Sequence, residues 1–200
     1  MVTISLKTDD INKVDLSIYD KNVQWHANSK YFNLPAGQEH YKLLAHVSSQ
    51  LPKGSVVYDI GTYLGFSALA LSANPDVHVI TYDIASFVSP ESGIHEISNI
   101  ERRLGNCIAD AAEIAKQAKV IMLDVDPHDG IQEKAILKAF VEAGFKGMIL
   151  LDDIHANELM QDFWDTLNIA GTTKIDITHL GHFSGTGVIV WNDCGLEVVF

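Results

Sequence analysis

Carboxylates, imidazoles and glycines gather at a few short places in this 200-residue chain. Val56-Val57-Tyr58-Asp59-Ile60-Gly61-Thr62-Tyr63-Leu64-Gly65-Phe66-Ser67-Ala68 reads as a buried strand, a turn flanked by two glycines and the start of a helix. Such a turn lets backbone N–H groups approach a ligand closely. Roughly twenty residues on, Val77-His78-Val79-Ile80-Thr81-Tyr82 leads into Asp83, and a carboxylate at the end of a second strand accepts hydrogen bonds from ribose hydroxyls. Together these residues mark a site for a nucleoside-containing cofactor. Two further apolar runs end in acid. Val120-Ile121-Met122-Leu123 runs into Asp124-Val125-Asp126-Pro127-His128-Asp129, and Met148-Ile149-Leu150-Leu151 into Asp152-Asp153-Ile154-His155. Carboxylates that converge repel one another unless protonated or bridged by a cation. A hard divalent ion with oxygen ligands, Mg²⁺, relieves that repulsion and keeps positions open for water and substrate. Helix capping by Asp129 and Asp153 is the plainer reading of two of these residues.

The turn fits neither common phosphate cradle. Its glycines are spaced G-x-x-x-G, Tyr63 stands where the dinucleotide fingerprint needs its second glycine, and no Gly-Lys-Ser/Thr follows. Asp59-Ile60-Gly61-Thr62-Tyr63-Leu64-Gly65-Phe66-Ser67 instead resembles the first motif of class I S-adenosylmethionine-dependent methyltransferases, and most of all the catechol and caffeoyl-CoA O-methyltransferase type. S-adenosylmethionine carries no phosphate, and its ammonium and sulfonium charges favour nearby carboxylates. The resemblance implies a doubly wound, mostly parallel Rossmann-like sheet with an antiparallel C-terminal strand. It also implies cofactor contacts from Asp59, Gly61, Tyr63, Gly65, Ser67, Asp83 and Asp124, with Asp110 beside the adenine.

The acidic clusters extend the resemblance to cation-dependent O-methyltransferases, whose metal is held at the ends of the fourth and fifth strands. By motif position that role falls to Asp124, Asp152 and Asp153. The macrocin and aminocoumarin type has a similar Asp-x-Asp whose second Asp is the proposed general base, which corresponds to Asp126. The catechol type places a Lys shortly after the first Asp, where this chain has Pro127 and His128, and that departure argues against a catechol or caffeoyl-CoA acceptor. The activity implied is methyl transfer to a hydroxyl of a small acceptor, with Asp126 or His128 removing the proton. O-methyltransferases of this type are often dimers, so a homodimer is implied as well.

Other chemistries fit parts of the pattern. Asp124-Val125-Asp126 is a D-x-D able to hold a metal diphosphate, as in a nucleotide-sugar glycosyltransferase, although no arginine cluster accompanies it. A metal-dependent hydrolase built on the Asp/His loops and a non-catalytic S-adenosylmethionine-binding protein are further alternatives. His155 reads as an added ligand or a partner of one. The Gly-rich stretch His179-Leu180-Gly181-His182-Phe183-Ser184-Gly185-Thr186-Gly187 reads as a plain connection or as a loop closing over substrate. His26, His40, His46, His78 and His95 have no evident partner.

Alternating elements position these residues. The pattern predicts strands over 56–60, 77–82, 106–109, 119–123 and 147–151, with helices over 65–73, 97–104, 111–117, 131–143 and 157–170. A helix carrying Tyr41, Leu44, Val47 and Leu51 precedes them, and a final strand pair over 174–178 and 188–191 is antiparallel. Alternation of this kind implies a parallel sheet with its site at the C-terminal strand ends. Residues 37–200 form the cofactor-binding domain, and residues 1–36 a segment whose Trp25, Tyr31 and Phe32 either cover the substrate or pack. With 47% hydrophobic and 20% charged residues the chain is of the globular class. A formal charge of −12 argues against nucleic acid or an anionic membrane as partner. Cys107 and Cys194 supply no metal or disulfide framework. The N-terminal residues lack a signal-peptide pattern and no apolar run approaches spanning length, so a cytoplasmic enzyme is expected.

Overall fold

The computed structural model describes residues 1–200. Nine strands and seven α-helices follow one another as β1 (Val2–Ser5), α1 (Thr8–Asn12), α2 (Asp20–Val23), α3 (Tyr41–Ser49), β2 (Val56–Ile60), α4 (Phe66–Leu71), β3 (His78–Asp83), β4 (Ile100–Leu104), α5 (Ala111–Gln117), β5 (Ala118–Leu123), α6 (Ile131–Glu142), β6 (Met148–Asp152), α7 (Glu158–Thr166), β7 (Thr172–Asp176), β8 (Thr186–Trp191) and β9 (Leu196–Val199). Seven strands make one sheet in the order β4-β3-β2-β5-β6-β8-β7, while β1 and β9 pair separately and in parallel. All neighbours in the large sheet are parallel except β8, which runs antiparallel to both β6 and β7.

The central strands are apolar on both faces because helices cover both. Val57, Val79, Val120, Met122, Met148 and Leu150 point into a core shared with α3 and α4. The alternate residues Tyr58, Ile80, Ile121, Leu123, Ile149 and Leu151 point into a second core with Ile114, Leu137, Phe140 and Trp164. The strand order reverses between β2 and β5, so the crevice outside their C-terminal ends is the topological switch point.

Two expected elements are corrected. Residues 100–104 form strand β4 rather than part of a helix, and Cys107–Asp110 is a 3₁₀ turn rather than a strand. Ile100-Glu101-Arg102-Arg103-Leu104 lies on the sheet edge, where charge on a strand guards the unpaired backbone and hides its period. Arg103 is anchored there by Glu101 Oε1 at 2.6 Å and Glu113 Oε1 at 2.8 Å. The last helix is shorter than expected and stops at Thr166. The N-terminal segment contributes Ile4, Leu6, Ile11, Leu16 and Phe32 to the first core. Phe32 and Trp25 pack edge-on against Phe66, and Tyr31 lies under the Lys30 ammonium. No helix is long and apolar enough to cross a membrane.

Candidate functional site

A cavity of about 620 Å³ opens at the switch point. That is within the range of roughly 300–1,000 Å³ usual for small-molecule sites. Its walls carry Gly61, Tyr63, Asp83, Asp124, Asp126, His128, Asp152 and Asp153 of the residues singled out from the sequence. Asp59, Gly65, Ser67 and Asp110 lie outside that wall.

The Gly61 turn is held from below. Its N–H and that of Thr62 both donate to the Tyr82 carbonyl, at 2.9 and 3.0 Å. Gly61 has φ +107°, and a Cβ there would sit 1.6 Å from the Asp124 carbonyl oxygen. The glycine therefore serves the close approach of β2 to the strand carrying the acidic cluster. Gly61→Ala must both strain the backbone and push β5 away. It is expected to cost about 3 kcal/mol or more. A melting point lowered by roughly 6–12 °C would check this, and an unchanged one would refute it.

Asp83, at the end of β3, is shaped by its own neighbourhood. Oδ2 accepts from the Tyr63 N–H at 2.8 Å and Oδ1 from the Ala85 N–H at 3.1 Å. Each oxygen keeps a lone pair for the cavity. Tyr63, at φ +41°, leans edge-on to Phe87 at the mouth, their centroids 5.7 Å apart. Beyond Asp83 the wall continues through Gly105, Asn106 and Cys107, residues the sequence did not single out as a site. Asp110 instead accepts from the Tyr82 hydroxyl at 2.9 Å.

Asp59 is fully buried behind the turn. It accepts from the Thr81 hydroxyl at 2.6 Å, and its other oxygen has no partner. Burial, partly offset by the Thr81 hydrogen bond and the nearby Ser67 hydroxyl, pushes it up to about 6 from 3.8. A pKa raised on folding means that ionisation is costlier in the native state. The contribution is fully present below about 3.8 and lost as pH rises through about 6. Asp59→Asn removes that slope. Its stability relative to the parent should improve by roughly 2–3 kcal/mol between pH 4 and pH 7. Urea unfolding at the two pH values reads this directly, and parallel curves would rule it out.

The opposite wall holds more than the expected carboxylates. His40, just ahead of α3, places Nδ1 3.2 Å from Asp152 Oδ2 and 3.4 Å from Glu39 Oε1. His182 Nδ1 lies 3.6 Å from Asp152 Oδ2 and 3.3 Å from Asp153 Oδ1, and Nε2 lies 3.8 Å from Glu39 Oε2. His128 Nε2 stands between Asp126 Oδ1 at 3.3 Å and Asp153 Oδ2 at 3.4 Å. Burial opposes charge on His40, but Asp152, Glu39 and Asp124 outweigh it and raise the imidazole to about 9. His182 rises to about 10 in the same way, against burial, through Asp152, Asp153 and Glu39. Burial and repulsion from Asp152 hold Asp124 well above the carboxylate range. Asp152, though buried, is held low by the two imidazoles.

The donor set differs from three aspartates alone. Asp124, Asp152 and Asp153 share the cavity, yet every group of three ligand atoms within 4.8 Å of one another includes a histidine. The groups are Glu39–His40–His182, His40–Asp124–Asp152, Asp124–His128–Asp153 and Asp152–Asp153–His182. Glu39, His40 and His182 share no spacing that marks them as a site in the sequence, although His182 lies in the Gly-rich stretch. That loop is tied down rather than free. The His182 N–H donates to Thr186 Oγ1 at 2.8 Å, and the Ser184 carbonyl accepts from the His155 N–H at 2.8 Å. Ser184 Oγ also reaches Asp153 and His182 Nδ1. Asp129 lies outside the cavity wall and accepts from the Ile131 N–H at 2.9 Å, one residue ahead of Gly130, the N-cap of α6. Asn157, not Asp153, caps α7. His155 is held outside the cavity by Gln161 and by Asp176 at 2.7 Å.

No family model and no curated protein matches the sequence. Among solved structures the chain is similar to SAH-bound Podospora anserina methyltransferase PaMTH1, at 16% identity and a TM-score of 0.62 over 89% of this chain and 88% of that one. It is also similar to a Staphylococcus aureus protein described as a caffeoyl-CoA O-methyltransferase, at 14% identity and a TM-score of 0.54 over 68% and 75%. Aeropyrum pernix fibrillarin, in complex with natively bound S-adenosyl-L-methionine, aligns at 19% identity and a TM-score of 0.53 over 74% and 73%. The fold of this chain is the Rossmann-like fold of these methyltransferases.

Proposed function

We propose that the protein is an S-adenosylmethionine-dependent methyltransferase acting on a hydroxyl of a small acceptor, with a divalent cation assisting. The observation that carries this reading is a single cavity with Asp83 at one side and a carboxylate–imidazole cluster at the other. Asp83 would hold the ribose diol. The Gly61–Tyr63 turn would take the amino-acid end, and Gly105–Cys107 would border the adenine. The negative wall suits a cofactor carrying ammonium and sulfonium charges. When bound, S-adenosylmethionine supplies the methyl group and the cation lowers the acceptor hydroxyl's pKa.

The chain's own residues do the rest. Asp124, Asp152 and Asp153, with the neighbouring imidazoles, would hold the cation and orient the acceptor oxygen. Such positioning is worth about 7–11 kcal/mol of barrier. His128, oriented by Asp153 and Asp126, takes the hydroxyl proton, and a well-placed base contributes about 10²–10⁴-fold. Asp126 orients His128 rather than acting alone, because its carboxylate is 91% exposed. That exposure also weighs against a D-x-D site for a metal diphosphate. Calorimetric titration with S-adenosylmethionine, followed by labelled-methyl transfer to a panel of hydroxylated acceptors, tests the reading. Micromolar binding and an acid-stable methyl ether are expected. No cofactor binding, with uridine-diphosphate-sugar binding in its place, would overturn it.

A further inference from the structure

Glu39, His40 and His182 offer three ligand atoms that all lie within 4.8 Å of one another on the cavity wall. We infer that these two imidazoles and one carboxylate, with Asp152 beside them, form a site selective for a borderline divalent transition-metal ion rather than for Mg²⁺. The inference deepens the methyl-transfer reading and rests on it for the use of the ion, though not for its binding.

Three observations carry it. First, imidazole nitrogen suits Zn²⁺, Fe²⁺ or Co²⁺, whereas Mg²⁺ wants oxygen. Second, His40 and Asp152 are each 4% exposed, yet His40 Nδ1 and Asp152 Oδ1 have no hydrogen-bond partner. Nδ1 faces Glu39 and Asp152 at 3.4 and 3.2 Å without a directed N–H bond to either. Ligands about 2.0–2.1 Å from a tetrahedral ion are themselves about 3.3–3.4 Å apart, so these separations match edges of a coordination shell. Third, His182 has the orientation a ligating imidazole needs. Its Nε2 turns to Glu39, while Nδ1 is fixed by Ser184 Oγ at 2.6 Å and Asp153 at 3.3 Å. A carboxylate or hydroxyl on the far nitrogen sets the tautomer and strengthens the ligand.

The structural elements explain why the ligands meet. Gly37, at φ +82°, lies where a Cβ would be 3.0 Å from the His179 carbonyl, so the segment before α3 is pressed against the Gly-rich loop. Thr186 pairs with Asp152 across β8 and β6, and that register brings the loop back over the Asp152 end.

The test is metal binding to the full-length protein after chelation and dialysis. Co²⁺ is the probe, because imidazole-bound Co²⁺ in a four- or five-coordinate site absorbs in the visible. A visible band that Zn²⁺ bleaches at stoichiometric amounts, and that millimolar Mg²⁺ leaves unchanged, is expected. His182→Gln should weaken Co²⁺ by about 100-fold or more, and Asp153→Asn, which toward this ion orients His182 rather than ligating, by about 10-fold. Glu39→Gln is the second ligand variant, and circular dichroism with the unfolding midpoint shows that each variant is folded. Ready displacement of Co²⁺ by Mg²⁺, or a colourless complex indifferent to His182→Gln, would overturn the site in favour of oxygen ligands. Absence of any metal binding would overturn it outright. Calorimetry with S-adenosylmethionine on the same samples separates the two readings. Cofactor binding without Co²⁺ binding defeats this inference alone.

Discussion

Asp152→Asn is expected to destabilise the metal-free protein by about 3–5 kcal/mol near neutral pH, since it leaves buried positive charge without its partner. Asp152 is the shared counter-charge of the cluster. Its Oδ2 lies 3.2 Å from His40 Nδ1 and 3.6 Å from His182 Nδ1, and its side chain is 3% exposed. The isosteric amide keeps the volume, so the effect is electrostatic rather than one of packing. One change works the other way. Repulsion from Asp152 adds to burial in holding the Asp124 carboxyl above the carboxylate range, and removing it makes a charge on Asp124 easier to form beside the imidazoles. The lower end of the range is therefore expected. The pH dependence identifies the cause. His40 and His182 are raised to about 9 and about 10 from 6.5. Raised imidazoles contribute stability that is full below about 6.5 and is lost as pH rises through about 9–10. The gap between parent and variant should be widest at pH 6–7 and close toward pH 10. Urea unfolding in the presence of a chelator reads both. A gap that persists at pH 10 would assign the loss to something other than the imidazoles.

The parts of the molecule that could be read from sequence were those with local cause. Val56–Ile60, Val120–Leu123 and Met148–Leu151 are runs of strand length, apolar apart from Asp59, each leading into a glycine or a carboxylate, and all three are central strands. The Asp83 carboxylate and the Asp124 and Asp152–Asp153 clusters could be placed at one crevice because parallel strands share their C-terminal ends. Features with remote cause stayed hidden. β1 and β9 are four residues each and pair only with one another across the whole length of the chain. β4 is charged because it is an edge strand, and its composition resembles that of a surface helix. Glu39 and His40 precede a helix far in sequence from His182, so no spacing rule links them. One signal was present. A strand antiparallel to β6 must begin at the Asp152 end, and the loop leading into β8 must therefore deliver its histidine there. The antiparallel pair expected over 174–178 and 188–191 carries that information only once β6 is known to be the other neighbour of the second strand.

Asp83→Ala should weaken S-adenosylmethionine binding by about 10²-fold or more, because a carboxylate spanning two ribose hydroxyls makes two charge-assisted hydrogen bonds of roughly 1.5–3 kcal/mol each. The geometry makes the role separable from scaffolding. Asp83 accepts the Tyr63 and Ala85 N–H groups, so alanine also frees two backbone donors at the mouth. Asp83→Asn is the finer instrument. Its amide oxygen can still accept one of those N–H groups, while the amide nitrogen presents a donor where the diol needs an acceptor. If Asp83 binds ribose, Asn should lose roughly tenfold or more in affinity while the unfolding midpoint hardly moves, since Asp83 lies at a strand end facing the cavity rather than in the core. If Asp83 matters only as the brace of Tyr63, Asn and Ala should both loosen the mouth, and affinity should fall in step with stability. Titration with S-adenosylhomocysteine as well as S-adenosylmethionine separates the ribose from the sulfonium. The ribose is common to both, so a ribose contact predicts the same fold-loss for each. A charge effect of Asp83 on the sulfonium predicts a loss confined to S-adenosylmethionine.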